Sequence, residues 1–488
     1  MRICFVTSEF APLAKVGGLA DVSAALSREL RGMGHDVRVY LPLYRRVRES
    51  GLTLTPDPVL CGLPIQIGRR TLHYSIVTAR VADSELEVGL VDCPALYDRP
   101  GVYTQDDDEH VRFLLLTRAA FECCQRTQWA PDILHCHDWQ TALAPLYLKT
   151  VYRWDGLFEK TRSVLTIHNL GYQGTIDAAA LPDLGLGESA RLLHQEDLRA
   201  GKIGFLKTGL AYADALTTVS PTYAREIQTE KLGMGLDGVL RQRTSALVGI
   251  LNGVDTREWD PGTDRHLTAR YSAKSLWRKE KNKASLLEGL GLPYTKGVPV
   301  VGIVSRLSAQ KGIELLDPTL TDLLRERDLR FVALGSGEPR LEQLMMGIQS
   351  RFPGRACFYR GFSEELAHRI EGGADLFLMP SLYEPCGLNQ MYSMRYGTAP
   401  VVRATGGLAD TVRPYDSATG EGTGFVFEHY TSDGLGWALR LALRVYEDTK
   451  AWRRLQLNGM AADFSWSERA RQYEDLYRRI AATAEAPR

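Results

Sequence analysis

The sequence predicts an α/β protein made of two doubly wound, Rossmann-like domains facing across a cleft. Three observations carry that reading. Strand-like runs alternate with helical ones almost throughout, which implies βαβ units around a mainly parallel sheet. The series starts twice, at Arg2 and again at Val300. At 488 residues the chain has room for two large domains, or for three of about 150 residues each.

In chain order, Arg2–Thr7 is β-rich, and Leu19–Arg31 has helical periodicity that stops at Gly32. Asp36–Pro42 reads as a strand, and residues 59–91 hold several antiparallel-looking strands. Asp132–His135, Ser163–His168 and Ala215–Val219 follow, each leading through a turn into a helix. After Asn252-Gly253 the chain is charged and irregular, which sets the boundary near residues 252–262. The second series runs through Val300–Ser305, Leu329–Leu334, Ala356–Tyr359, Asp375–Met379 and Ala399–Arg403. The expected domains are therefore residues 1–252 and 253–464. Residues 465–488 form a helix expected to cross back to the first domain. Sheets of this kind bind ligands at the carboxyl ends of their strands, so the cleft is the expected place for chemistry.

Composition narrows the function classes. The chain is 44% hydrophobic and 24% charged, as in a soluble protein with a filled core. Lys and Arg number 59, as do Asp and Glu, which argues against charge-driven binding to nucleic acid or to a membrane surface. Eight cysteines without a CxxC pair read as reduced thiols, the N-terminus reads as a strand and not a signal peptide, and no run is long enough to span a bilayer. A cytoplasmic location is expected.

The chemistry-bearing motifs sit just past strands. Lys15-Val16-Gly17-Gly18-Leu19-Ala20-Asp21 places a lysine before paired glycines at a helix start, where backbone N–H groups and a point charge suit a diphosphate. It matches neither the dinucleotide fingerprint nor a Walker loop. Its last five residues, Gly17 to Asp21, recur as Gly406-Gly407-Leu408-Ala409-Asp410. Arg306 and Lys311, five positions apart at a strand end, are placed to reach one phosphate. Glu384, in Tyr383-Glu384-Pro385-Cys386-Gly387-Leu388, puts a carboxylate at a sheet's ligand-binding edge, where it can bind sugar hydroxyls; the alternative is a helix-start acid that satisfies the dipole. Gly335-Ser336-Gly337-Glu338-Pro339 breaks the dinucleotide pattern at Arg340, and reads equally as a pocket wall or a plain turn. Asp106-Asp107-Asp108-Glu109 resembles a metal motif but precedes a helical pattern, so N-capping is the expected role. His135 and His137 share one face of a strand; with no distant partner cluster they read as a substrate-facing strand end and not as a metal site.

Together, KVGGLADV, SRLSAQKG, YEPCGL and TGGLADTV, with His137-Asp138-Trp139 and Thr166-Ile167-His168-Asn169-Leu170, resemble the bacterial glycogen synthase and plant starch synthase family over residues 1 to about 475. The resemblance implies the glycosyltransferase-B fold and retaining transfer of glucose from ADP-glucose to the nonreducing end of an α-1,4-glucan such as glycogen. It implies no cofactor and no metal. Related transferases carry a second Glu eight positions on; here that position is Tyr392, so the ribose contact stays unassigned.

By the same resemblance, Arg306 and Lys311 stabilise the leaving diphosphate, Glu384 holds the donor glucose, and His168 lies near the developing sugar cation through its backbone carbonyl. Lys15, Gly17 and Gly18 face the diphosphate or glucose. Glu9, Asp21, Asp138 and Asn169 face sugar or acceptor. Cys386, Gly387, Leu388, Gly406 and Gly407 complete the donor side, and Phe362 is the adenine-stacking candidate against the alternative of a core phenylalanine. Glu384 has no carboxylate partner in its motif, which favours front-face transfer over double displacement. A transferase using UDP-glucose or a small acceptor, and a non-catalytic glucan-binding scaffold, are the competing expectations.

Overall fold

The computed structural model describes residues 1–81, 84 and 86–485, and the chain divides into two compact units. One comprises residues 1–253 and 466–488; the other comprises residues 254–465.

The first unit is built on a sheet that is ten-stranded among the described residues. Its parallel part runs, from one edge, Leu247–Gly249, Ala215–Thr218, Arg162–Ile167, Ile133–His137, Arg2–Val6, Asp36–Pro42 and Glu87–Asp92. The central strands are buried because helices cover both faces: all five residues of Ile133–His137, two histidines among them, are buried. The antiparallel edge behaves differently. Leu63–Ile67 alternates buried and exposed residues, the period-two signature of a strand with one wet face, and pairs with Arg70–Arg80. Helix Gly18–Gly32 buries Leu19, Val22, Leu26 and Leu30, one stripe at helical spacing.

Helix Trp466–Glu485 belongs to this unit. Trp466, Ala470, Tyr473, Leu476 and Tyr477 join its core, and Tyr477 hydrogen-bonds His135 at 2.7 Å.

The second unit carries a six-stranded parallel sheet in the order Ala356–Arg360, Arg330–Gly335, Val300–Val304, Leu376–Met379, Ala399–Arg403, Phe425–Phe427. Numbered along the chain from Val300, that order is 3-2-1-4-5-6, the doubly wound arrangement. Its switch point falls between Val300–Val304 and Leu376–Met379. The parallel strands of the first unit reverse in the same way, between Arg2–Val6 and Ile133–His137. No helix among the described residues is long and apolar enough to cross a membrane.

One expectation needs correcting. Asp108 stands at the N-cap of helix Glu109–Arg126 but makes no side-chain cap; its carboxylate instead takes both Arg99 guanidinium nitrogens at 2.8 Å. A bidentate guanidinium is a stronger partner for a carboxylate than one backbone N–H.

Candidate active site

In the second unit, the loops leaving the two switch-point strands carry Lys311 and Glu384. Glu384 is 5% exposed, and its Oε2 accepts from Lys311 Nζ at 2.6 Å and from Ser381 Oγ at 2.9 Å. A carboxylate this buried must be paired, so Glu384 also fixes the ammonium. The two loops are stitched by backbone: Leu382 N–H donates to Gln310 O at 2.8 Å, and Gln310 Nε2 donates to Tyr383 O at 3.3 Å. Arg403 holds the same loop from the neighbouring strand, with Nε on Ser381 O at 2.8 Å and a second nitrogen on Leu382 O.

Close approach explains the glycines here. Gly406 has φ +44°, and a Cβ on it would stand 1.9 Å from Glu384 O; one on Gly407 would stand 2.2 Å from Cys386 O. The Gly407 N–H donates to Glu384 O and Pro385 O, both at 3.1 Å. This glycine pair therefore supports the loop of Glu384 instead of offering that N–H to an anion. Cys386 is buried; Gly387 and Leu388 are partly buried on the same loop. Arg306 is exposed just past its strand, and Phe362 is 80% exposed just past strand Ala356–Arg360, which removes the core reading of that ring. Tyr392 is buried against Trp259, ring centroids 3.9 Å apart and nearly parallel, so the position of the missing second carboxylate is spent on packing.

In the first unit, the switch-point strands deliver Glu9 and Asp138. Glu9 is 4% exposed; its Oε2 accepts the N–H groups of Val16 at 2.7 Å and Gly17 at 2.8 Å, and its Oε1 accepts from Tyr103 OH at 2.7 Å. The Gly17 N–H thus serves Glu9, which corrects the expectation that it cradles phosphate. Lys15 Nζ pairs with Asp21 at 2.7 Å. Gly18 is exposed. Gly17 is extended, at φ −149°, and a Cβ there would meet nothing within 4 Å, so neither backbone nor packing demands a glycine.

Asp138 has φ +51°, a left-handed conformation that a non-glycine residue adopts only under surrounding constraint. Its Oδ1 accepts His168 N–H at 2.7 Å and Asn169 N–H at 3.4 Å, holding the loop that carries both residues. Asn169 Oδ1 in turn accepts Gly171 N–H at 3.0 Å. Behind them, His168 Nε2 meets His137 Nδ1 at 3.0 Å, and His135 exchanges hydrogen bonds with Thr166 and Tyr477. The sequence expectation that His135 and His137 face substrate is corrected: both rings are fully buried.

Burial shifts this cluster. It pushes His135 and His168 down to about 3 and drives His137 down as well. It pushes Asp138 up to about 7, against the lowering effect of its two backbone hydrogen bonds. Between about pH 4.5 and 6, each imidazole takes up a proton only in the unfolded chain, so stability falls with acid. Over the same range Asp138 holds a proton only in the folded chain, which opposes that loss. Asp138→Asn removes the opposing group, so the acid loss should steepen by one proton, about 1.4 kcal/mol per pH unit. Urea midpoints through that range measure the slope; an unchanged slope would mean that Asp138 is ionised in the folded protein.

Sequence reasoning missed Tyr103, Ser381 and Arg403. Ser381 lies only three positions before Glu384, a spacing that was readable; Tyr103 and Arg403 reach their partners through the fold.

Residues 2–242 match the family model described as starch synthase catalytic domain, and residues 292–455 match glycosyl transferases group 1. The glycogen synthase of Koribacter versatilis is 46% identical over 481 residues, 98% of each chain. That of Thermotoga maritima is 43% identical over 485 residues, 99% of each chain. A solved structure, the catalytic domain of starch synthase IV from Arabidopsis thaliana bound to ADP and acarbose, superposes with a TM-score of 0.91 at 36% identity over 99% of each chain. Sucrose-phosphate synthase from Thermosynechococcus elongatus, at 18% identity and a TM-score of 0.60 over 99% of each chain, shares the fold alone.

Proposed function

The chain belongs to the glycogen and starch synthase family of glycosyltransferases, and we propose that the groups described above carry that family's reaction here. The activity is that of a glycogen synthase, retaining transfer of glucose from ADP-glucose that elongates a glucan. The observation that carries the assignment of residues is the Lys311–Glu384 pair at the switch point of a 3-2-1-4-5-6 sheet.

As the anomeric bond breaks, negative charge grows on the diphosphate. Lys311, fixed by Glu384, and Arg306, five positions before it, supply positive charge where that change occurs, which lowers the barrier more than it tightens ground-state binding. Both hydrogen bonds to Glu384 fall on Oε2, so Oε1 is the oxygen for donor-sugar hydroxyls. The sugar acquires cationic character, and the His168 carbonyl, positioned through Asp138, is the dipole assigned to it. The His168 ring, driven neutral by burial, adds no opposing charge. Front-face transfer then moves the acceptor hydroxyl's proton to the departing diphosphate oxygen while that hydroxyl oxygen bonds the anomeric carbon. Lys15 and Gly17 are assigned to the diphosphate or glucose, and Glu9, Asp21 and Asn169 to sugar and acceptor; the absence of any steric need for Gly17 is what favours a ligand near it. A cytoplasmic setting, with ADP-glucose and glycogen as partners, completes the proposal and is consistent with eight free thiols.

The test is nucleotide release from ADP-glucose and from UDP-glucose, side by side, with glycogen as acceptor. Faster release from ADP-glucose with glucan growth is expected. No release from either would favour a scaffold, and preference for UDP-glucose would overturn the donor assignment. Phe362→Ala should raise the KM for ADP-glucose about tenfold with kcat little changed, since base–aromatic stacking contributes about 1–3 kcal/mol. An unchanged KM would remove Phe362 from the adenine site.

A further inference from the structure

We propose that His266, Glu364 and His368 of the second unit hold one divalent transition-metal ion of the zinc class. One donor atom from each of these residues lies within 4.8 Å of the other two. Glu364 and His368 are four apart on helix Glu364–Gly373 and so share a face. Ser363 Oγ caps that helix by accepting Leu366 N–H at 3.2 Å. His266 comes from a turn fixed by Asp264 Oδ1, which accepts the His266 N–H at 2.8 Å.

His368 points to a ligand independently. It is 2% exposed, and its ring lies flat on Trp259, centroids 3.8 Å apart at 7°. Its Nδ1 meets Asp264 Oδ2 at 2.8 Å, and the same oxygen accepts from Tyr396 OH at 2.7 Å. A carboxylate only accepts, so Nδ1 carries the proton, and in the neutral ring Nε2 is the nitrogen that presents a lone pair. That buried Nε2 has no hydrogen-bond partner among the described residues, a costly state for a polar atom. A carboxylate behind one ring nitrogen, with the other presented outward, is the arrangement that orients metal-binding histidines.

The other two ligands are accessible. Glu364 is exposed and His266 is half-buried, and the two imidazoles lie with centroids 4.9 Å apart. His266 Nε2 accepts a long 3.3 Å hydrogen bond from Arg265 Nε, which leaves Nδ1 for an ion. Zinc bound at about 2.0–2.2 Å draws its ligand atoms to roughly 3.4 Å of one another, a closing movement that rotation of Glu364 and His266 supplies. Two imidazoles and one carboxylate suit zinc, and also cobalt or nickel, with water completing the shell. The ion would clamp the helix to the segment that carries Asp264. None of the three ligands is among the residues assigned to glucose transfer, so its role is separate from that chemistry.

The experiment uses the full-length protein, freed of any affinity tag and stripped of metal. It is titrated with CoCl₂ and with ZnCl₂, followed by calorimetry, by the visible absorption of bound cobalt and by tryptophan fluorescence. One ion per chain is expected, with cobalt quenching Trp259. His266→Ala and Glu364→Ala should each weaken binding about tenfold or more. Both positions are less buried than His368, whose truncation would also disturb the Trp259 stack. No saturable binding to the wild-type protein, or unchanged affinity in either variant, would overturn the proposal.

Discussion

Lys311→Ala should lower kcat for glucosyl transfer by about 100- to 1,000-fold while the KM for ADP-glucose changes little, because one pre-positioned charge is removed from where charge develops. The same substitution has a second consequence. Glu384 is left buried with only Ser381 as a hydrogen-bond partner. An unpaired buried carboxylate costs about 3 kcal/mol or more, so stability should fall as well. The two effects separate in the double variant Lys311→Ala, Glu384→Gln. Neutralising Glu384 restores most of the stability, but turnover stays low because no cation has been returned. Steady-state kinetics together with thermal unfolding decide the matter. Recovery of turnover in the double variant would mean that Lys311 serves only to pair Glu384.

Gly406→Ala should be nearly as damaging, for a steric reason. A non-glycine residue in a left-handed conformation costs about 1–2 kcal/mol. The added Cβ would also stand 1.9 Å from Glu384 O, a backbone atom that moves only with its loop. Overpacking of that kind costs about 1–3 kcal/mol more. The expected total, about 2–5 kcal/mol, should appear as a clear drop in the melting temperature together with lost turnover, because the displaced loop carries Glu384. Gly17→Ala is the control within the repeated motif. Its extended backbone and the open space around its Cβ position predict little loss of stability, so any loss of turnover there reports a ligand and not a strained fold. Equal melting temperatures for Gly406→Ala and wild type would contradict the packing described for that loop.

Much of the architecture was legible in alternation. The restart at Val300 and the strand ends before Arg306, Glu384 and His168 follow from apolar runs ended by turn residues, and the matching KVGGLADV and TGGLADTV motifs mark two helix starts. What those repeats do was less legible, because identical residues meet different neighbours: Gly17 donates to a carboxylate from its own loop, whereas its counterpart Gly406 packs on a carbonyl two elements away. Pairings across the fold carry no local signal. Tyr103 reaches Glu9 over 94 positions and Lys311 reaches Glu384 over 73. Asp108 shows the limit of propensity: the cap position was correct, but a guanidinium nine residues upstream outcompeted the backbone.

The most direct measurement is a crystal structure of the enzyme with ADP bound. Lys311 Nζ and the Arg306 guanidinium should both lie within about 3.2 Å of β-phosphate oxygens, with Glu384 still against Lys311. A β-phosphate held by other groups, with both side chains directed away from it, would contradict the account.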